Sequence, residues 1–174
     1  MRKLLLVIDM QNDFIDGSLG TQETQNIVEK VKEKIRLYSP RNIVATMDTH
    51  SEDYLETQEG RNLPVEHCIK GTKGWEIRAD IMELLTDAKF YEKPTFGSIQ
   101  LAEDLKALSE VEEIEIELVG LCTDICVISN ALLLKAMMPE VKISVDAGCC
   151  AGVTPKSHTA ALTAMRSCQI QISG

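Results

Sequence analysis

The sequence predicts an α/β fold in three layers, a doubly wound sheet of six mainly parallel strands with helices on both faces. Three observations lead there. Short apolar, β-branched runs alternate with segments of helical spacing along the whole chain. The first run, LLLVI at residues 4–8, is apolar throughout, as a buried strand is. No internal repeat and no linker interrupts the alternation, so residues 1–174 are expected to form a single domain.

In chain order, the first strand ends at Asp9, followed by Met10-Gln11-Asn12-Asp13-Phe14. Ile27, Val28, Val31, Ile35 and Tyr38 then recur with helical spacing, predicting a helix over residues 24–39. Residues 42–47 read as the second strand, ending at Asp48-Thr49-His50. Residues 51–74 are polar, irregular and longer than an ordinary connection, which points to function rather than to a linker. A helix is expected over residues 77–85 and a third strand over 88–91, leading to Lys93 and then Pro94-Thr95-Phe96-Gly97-Ser98. Ser98 can cap a helix carrying Leu101, Leu105 and Leu108. Ile114, Ile116, Leu118 and Val119 mark the fourth strand, Gly120 permits a tight exit, and Thr123 or Asp124 can cap the helix that follows to residue 138. That helix is nearly apolar on most sides, as suits burial between the sheet and a partner subunit, so a homo-oligomer is expected. Residues 141–145 form the fifth strand. Thr154-Pro155 is a cap with proline at the first helical position, and a helix to Arg166 and a strand over 168–172 close the chain.

Composition excludes several classes of function. With 44% hydrophobic and 26% charged residues, a chain of 174 residues can build an ordinary core. Its formal net charge of -9 argues against nucleic acid or an anionic membrane as partner, because either needs a basic face. No apolar run approaches the ~20 residues of a membrane span and no leader pattern is visible, so a cytoplasmic protein acting on a small molecule is expected. Six cysteines, at 68, 122, 126, 149, 150 and 168, are read as reduced thiols, since a chain of this length needs no disulfide staples. Cys68, Cys149, Cys150 and Cys168 are read as packing residues, with a redox-sensing Cys149-Cys150 pair as the alternative. No GxGxxG follows the first strand, so no dinucleotide is indicated.

Cys126 is the centre of the functional reading. It follows the fourth strand in the segment Gly120-Leu121-Cys122-Thr123-Asp124-Ile125-Cys126, within the first helical turn. There unpaired backbone N–H groups and the helix dipole favour a thiolate. A small buried apolar residue is the other reading open at this point. Asp9 and Lys93 sit at two other strand ends, and in a parallel sheet these ends meet along one edge, so the three side chains can converge. A structural ion pair is the alternative for Asp9 and Lys93. Asp48-x-His50 at a strand end, with His67 from the long polar stretch, can supply three ligands to a metal with open positions; an ordinary polar loop is the alternative.

The segments DMQNDF, EKPTFGS and GLCTDICV resemble, in content and order, the three signature segments of the isochorismatase-like cysteine hydrolases. The resemblance covers nearly the whole chain and implies the same three-layer fold. It also implies a mechanism in which Asp9 takes the proton of Cys126, the thiolate attacks an amide carbonyl, the amine leaves and water cleaves the thioester. Between free groups that proton transfer spans ~4.6 pKa units, roughly 6 kcal/mol uphill, so the surroundings must close the gap, with Lys93 as the stabilising cation. The resemblance further implies an oxyanion hole from the backbone N–H groups of Cys122 and Cys126, with a cis peptide bond between Leu121 and Cys122. Asp48, His50 and His67 fall where the nicotinamidase (pyrazinamidase) branch holds a divalent transition metal, with zinc as first choice and iron or manganese as alternatives.

Phe14 and Phe96 each closely follow a catalytic candidate and are expected to wall a site for a flat substrate. Where many nicotinamidases have a tryptophan before the metal histidine, this chain has Leu63-Pro64, and its only tryptophan is Trp75. The function expected is hydrolysis of nicotinamide to nicotinate and ammonia. Hydrolysis of another small amide, carbamoyl or ureido compound is the first alternative, and a non-enzymatic redox-sensing or binding role the second.

Overall fold

In the computed structural model, which describes residues 1–174, the strands are β1 (Arg2–Ile8), β2 (Ile43–Asp48), β3 (Lys89–Lys93), β4 (Ile114–Leu121), β5 (Lys142–Ala151) and β6 (Gln171–Ser173). Interleaved with them are α1 (Asn12–Ile15), α2 (Gln22–Asn26), α3 (Val28–Arg36), α4 (Gln58–Asn62), α5 (Ala79–Met82), α6 (Ile99–Ser109), α7 (Ile128–Met137) and α8 (Pro155–Ser167). All six strands lie in one sheet in the order β3-β2-β1-β4-β5-β6, and every pairing is parallel. The expected mainly parallel sheet is therefore wholly parallel.

Successive side chains of a strand face opposite ways, and both faces of β1 are buried. Leu4, Leu6 and Ile8 join the residues of α6, α7 and α8 in one apolar layer, which also takes Ile116, Leu118 and Val145. Leu5 and Val7 join α1, α3 and α5 in the other, with Ala45, Val119 and Leu121. β1 and β4 are the central pair, and on either side of them the strand order runs in opposite directions. This is the switch point at which open α/β sheets bind ligands, beyond the carboxyl ends of the strands.

Several boundaries differ from expectation. The helix expected over residues 24–39 is divided at Ile27 into α2, which starts earlier behind a reciprocal Thr21–Thr24 cap, and α3, which ends at Arg36. The helix expected over 77–85 shrinks to α5. β5 continues through Cys149 and Cys150 to Ala151, beyond a register shift against β4 between Leu118 and Gly120. α8 keeps its Thr154 cap, its proline and a reciprocal Ser157 bond, but extends to Ser167 and delays β6 to Gln171. The polar stretch contains a 3-10 turn at Tyr54–Glu56 and the short α4.

A further correction concerns the turn after β4. Neither Thr123 nor Asp124 caps a helix: Cys122 occupies the cap position, and Thr123–Val127 form a π-helical turn before α7. Their side chains are engaged elsewhere, Thr123 with His158 and Asp124 with the N–H of Val153. No helix is long and apolar enough to cross a membrane.

Candidate active site

Four neighbouring strands deliver the chemistry to one edge. β1 leads into Asp9, β2 ends on Asp48, β3 ends on Lys93, and β4 leads into the turn carrying Cys122 and Cys126. Parallel register places Asp48 beside Lys93 and Ile8 beside Gly120. Gly120 has a φ of +115°, and a Cβ there would lie 2.1 Å from the Ile8 carbonyl oxygen, so glycine lets β4 close onto β1 just before the turn.

Lys93 is 1% exposed and its ammonium is the hub. Nζ lies 2.6 Å from Asp9 Oδ2, and it donates to Asp48 Oδ1 at 3.3 Å and to Cys126 Sγ at 3.4 Å. Asp9 Oδ1 accepts from the Thr46 hydroxyl at 2.6 Å, while Oδ2 has only the ion-pair contact with Lys93 and is free to take a proton. Burial raises the pKa of Asp9, outweighing the attraction of Lys93. Burial opposes the charge on Lys93, but Asp9, then Cys126 and Asp48, hold its pKa well above the ordinary lysine value.

The expected low-pKa thiol is corrected. Burial, and then the Asp9 carboxylate, push the Cys126 thiol up despite Lys93, because the ammonium is already neutralised by its carboxylate partners. The resting thiol is thus neutral. With Asp9 ionised against Lys93, transfer of the thiol proton to it leaves the number of buried charges unchanged and keeps the anion against the same ammonium.

Asp48, His50 and His67 do come together, and Glu59 of α4 joins them; one donor atom from each of the four lies within 4.8 Å of the others. His50 Nε2 is 3.0 Å and His67 Nε2 3.6 Å from Asp48 Oδ2, and the same nitrogens are 3.7 and 3.8 Å from Glu59 Oε1. The donor set fits a divalent transition metal. His67 Nδ1 is engaged by the Val65 carbonyl at 2.8 Å, which leaves Nε2 with its lone pair toward the cluster. Three carboxylates, Asp9, Asp48 and Glu59, face the one ammonium of Lys93, a deficit that a divalent cation balances. Tyr54, fully buried, packs against both histidine rings at 4.7 and 4.9 Å.

A cavity of about 560 Å³ opens on both centres. Phe14, Asp48, Glu59, Leu63, His67, Phe96, Cys122, Ile125 and Cys126 are among its lining residues. Phe14 is a buried wall, 5.6 Å from the His67 ring, whereas Phe96 stands at the mouth, 45% exposed. Trp75 is not in the lining; its indole N–H donates to Thr49 Oγ1 at 2.9 Å. The peptide bond between Leu121 and Cys122 is cis, as the resemblance implied.

The isochorismatase domain family matches residues 3–174. The chain belongs to that family. Among relatives of this isochorismatase-domain chain, an isochorismatase family protein, PncA, of Bacillus subtilis is 31% identical over 143 residues, covering 76% of this chain and 78% of its own length. The nicotinamidase/pyrazinamidase of Mycobacterium tuberculosis is 25% identical over 183 residues, covering 98% and 97%. Among solved structures, pyrazinamidase of Pyrococcus horikoshii in complex with zinc superposes with a TM-score of 0.81 at 29% identity, covering 99% of this chain and 98% of that one.

Four supporting residues escaped the reading of the sequence. Gln11, fully buried, clamps the metal-side strand end: its amide nitrogen donates to the carbonyls of Asp48 and Trp75, and its oxygen accepts from the N–H of Asp48, each at 2.8 Å. Asn130 ties the Cys122–Cys126 turn to the Phe96 loop, donating to the carbonyls of Cys126 (2.8 Å) and Phe96 (3.2 Å). Thr46 orients Asp9, and Glu59 completes the donor cluster. Glu59 had one signal, the Thr57 cap that places it in the first turn of α4, and Gln11 stands inside the DMQNDF segment; Thr46 and Asn130 are polar residues on strand and helix patterns with nothing to set them apart.

The redox alternative loses its geometry. Cys149 and Cys150 point to opposite faces of the sheet, one in each apolar layer. Burial first pushes Cys149 up to about 11 and Cys150 higher, so neither is a ready thiolate.

Proposed function

We propose that this chain is a nicotinamidase-like amidohydrolase that works through a thioester on Cys126. The observation that carries the reading is the single ammonium of Lys93, which touches Asp9, Cys126 and Asp48, the last two of which line one cavity. Nucleophile, proton acceptor and substrate-orienting group are thereby tied to one point.

In this reading the Cys126 proton passes to Asp9 Oδ2 as sulfur attacks the carboxamide carbon, and Lys93 stays against the moving negative charge. Backbone N–H groups of Cys122 and Cys126 receive the oxyanion. Asp9 returns the proton to the amide nitrogen, the C–N bond breaks and ammonia leaves. Asp9 then takes a proton from water, which attacks the thioester, and the carboxylic acid departs as Cys126 regains its proton. Phe14 and Phe96 wall the ring. Asp48, His50 and His67, joined by Glu59, hold the metal, zinc by first choice with iron or manganese as alternatives. When bound, the metal offers an open position that suits a pyridine nitrogen. A single domain over residues 1–174, a cytoplasmic location and a homo-oligomer belong to the same proposal. The one continuous sheet and the only partly buried Leu132 and Leu133 of α7 support the first and the last; sedimentation at a monomer mass would remove the oligomer.

The test is ammonia release from nicotinamide and from a small amide with no ring nitrogen, on protein whose metal content has been measured. Chelation or His50→Ala should weaken use of nicotinamide much more than use of the other amide. Absence of a transition metal, with no effect of added metal on nicotinamide turnover, would leave a metal-free amidase instead.

A further inference from the structure

The π-helical turn at Thr123–Val127 carries the proposed nucleophile and follows the proposed oxyanion donor Cys122. The Cys122 carbonyl accepts from both Ile125 N and Val127 N at 3.1 Å, an i→i+3 and an i→i+5 bond on one oxygen. A π turn is rarer and less favourable than an α turn, so it is retained where outside contacts hold it. Thr123 is fully buried, and its hydroxyl pairs with His158 Nδ1 at 2.8 Å, its one hydrogen-bond partner. Asp124 Oδ1 accepts from Val153 N at 3.1 Å, and a Cβ on Gly152 would lie 2.9 Å from that oxygen and 2.9 Å from His158 N, so the start of α8 is seated directly on the turn.

His158 does not owe its position to the helix's own needs. Thr154 and Ser157 cap α8 between themselves, and His158 N–H already bonds the Thr154 carbonyl at 2.9 Å. Its imidazole is spent on Thr123 alone. Resting on the proposed amidase reading, we infer that His158, acting through the Thr123 hydroxyl, is a positioning residue that fixes the backbone of the Cys122–Cys126 turn for oxyanion binding. Burial lowers the pKa of the imidazole despite the nearby Asp124 carboxylate, so near neutral pH the ring is uncharged and Nδ1 pairs with the Thr123 hydroxyl as donor or acceptor according to its tautomer. A buried hydroxyl left without that partner is costly, and the turn would shift to find another.

The test compares His158→Leu, Thr123→Val and the double variant with His158→Asn, whose side-chain amide can replace Nδ1 in either role. Pyridine-3-carbaldehyde serves as a probe, since the thiol adds to it to give a tetrahedral oxyanion on Cys126, while nicotinate reports ground-state binding. Loss of one oxyanion donor costs ~10²–10³ in kcat, so a displaced donor should cost about 10-fold or more. The expected result is that kcat and aldehyde affinity fall together about 10-fold in His158→Leu and Thr123→Val. KM and nicotinate binding should stay within about twofold, the double variant should be no worse than the singles, and His158→Asn should recover most of the loss. Unchanged kcat in folded His158→Leu overturns the inference, as does an equal loss of nicotinate and aldehyde binding, or a failure of His158→Asn to recover. Wild-type protein that releases no ammonia from any amide would instead overturn the amidase reading.

Discussion

Cys126, Asp9 and Lys93 form one unit, so loss of the proposed nucleophile should cost nearly everything. Cys126→Ala is expected to abolish ammonia release, whereas Cys122→Ala, which keeps its backbone N–H, should retain much of it. Full activity in Cys126→Ala would end the thioester mechanism. The neutral resting thiol has a measurable consequence. Its raised pKa means that the thiol form persists through neutral pH and the thiolate appears only above the ordinary cysteine range. Alkylation of Cys126 in the free protein should therefore climb steadily with pH past 9, with exposed Cys168 labelled first at pH 7. Peptide mapping that finds Cys126 labelled fastest at pH 7, on a plateau, would show an anionic resting thiol. Gln11 is a third residue-scale case. Gln11→Leu leaves the N–H and carbonyl of Asp48 and the carbonyl of Trp75 without partners. It should cost roughly 3 kcal/mol or more in urea unfolding and loosen metal retention. Wild-type stability would mean that water replaces the amide without loss.

At the scale of elements, the site depends on how closely strand ends approach one another. β1 and β4 are in contact up to the pair Ile8 and Gly120, immediately before Asp9 and the Cys122 turn. Gly120→Ala would combine an unfavourable φ with a Cβ 2.1 Å from the Ile8 carbonyl oxygen, so the strand ends must part. Destabilisation of about 3 kcal/mol or more is expected in chemical denaturation, with turnover falling further than stability alone explains. A fully active Gly120→Ala protein would show that the approach is dispensable. Thr154, Ser157 and Pro155 make α8 a well-defined start, which gives the Cys122–Cys126 turn a rigid surface to rest on.

Across the whole molecule, charge ties the donor cluster to the fold. The chain carries a formal net charge of -9, and Asp48, Glu59 and Asp9 concentrate part of it beside one ammonium. A divalent cation bound only by the folded state should stabilise it, by about 2.7 kcal/mol when present at 100 times its dissociation constant. Adding zinc to chelator-treated protein should raise the midpoint of thermal unfolding, and Glu59→Gln with His67→Ala should remove the shift. An equal shift in that double variant would place the cation elsewhere.

The sequence by itself determined the alternation of strands and helices, and hence the doubly wound sheet, because apolar runs and helical spacing are local patterns. It also determined which residues could do chemistry: Asp9, Lys93 and Cys126 stand at strand ends, and parallel strands bring those ends to one edge. Asp48, His50 and His67, two at a strand end and one on a long polar stretch, were open to a plain loop reading, and the family resemblance tipped them toward a metal. Tertiary structure alone decided the rest. Glu59 reaches the cluster only because the chain folds α4 back to His50 and His67; Gln11 and Thr46 gain their roles from partners at least 37 positions away, and Asn130 ties its own helix to the Phe96 carbonyl 34 positions away. The protonation of Cys126 was decided there too. A helix start and a lysine promise a thiolate, but burial and two carboxylates competing for the same ammonium outweigh them, and no local pattern records how many charges share a buried site.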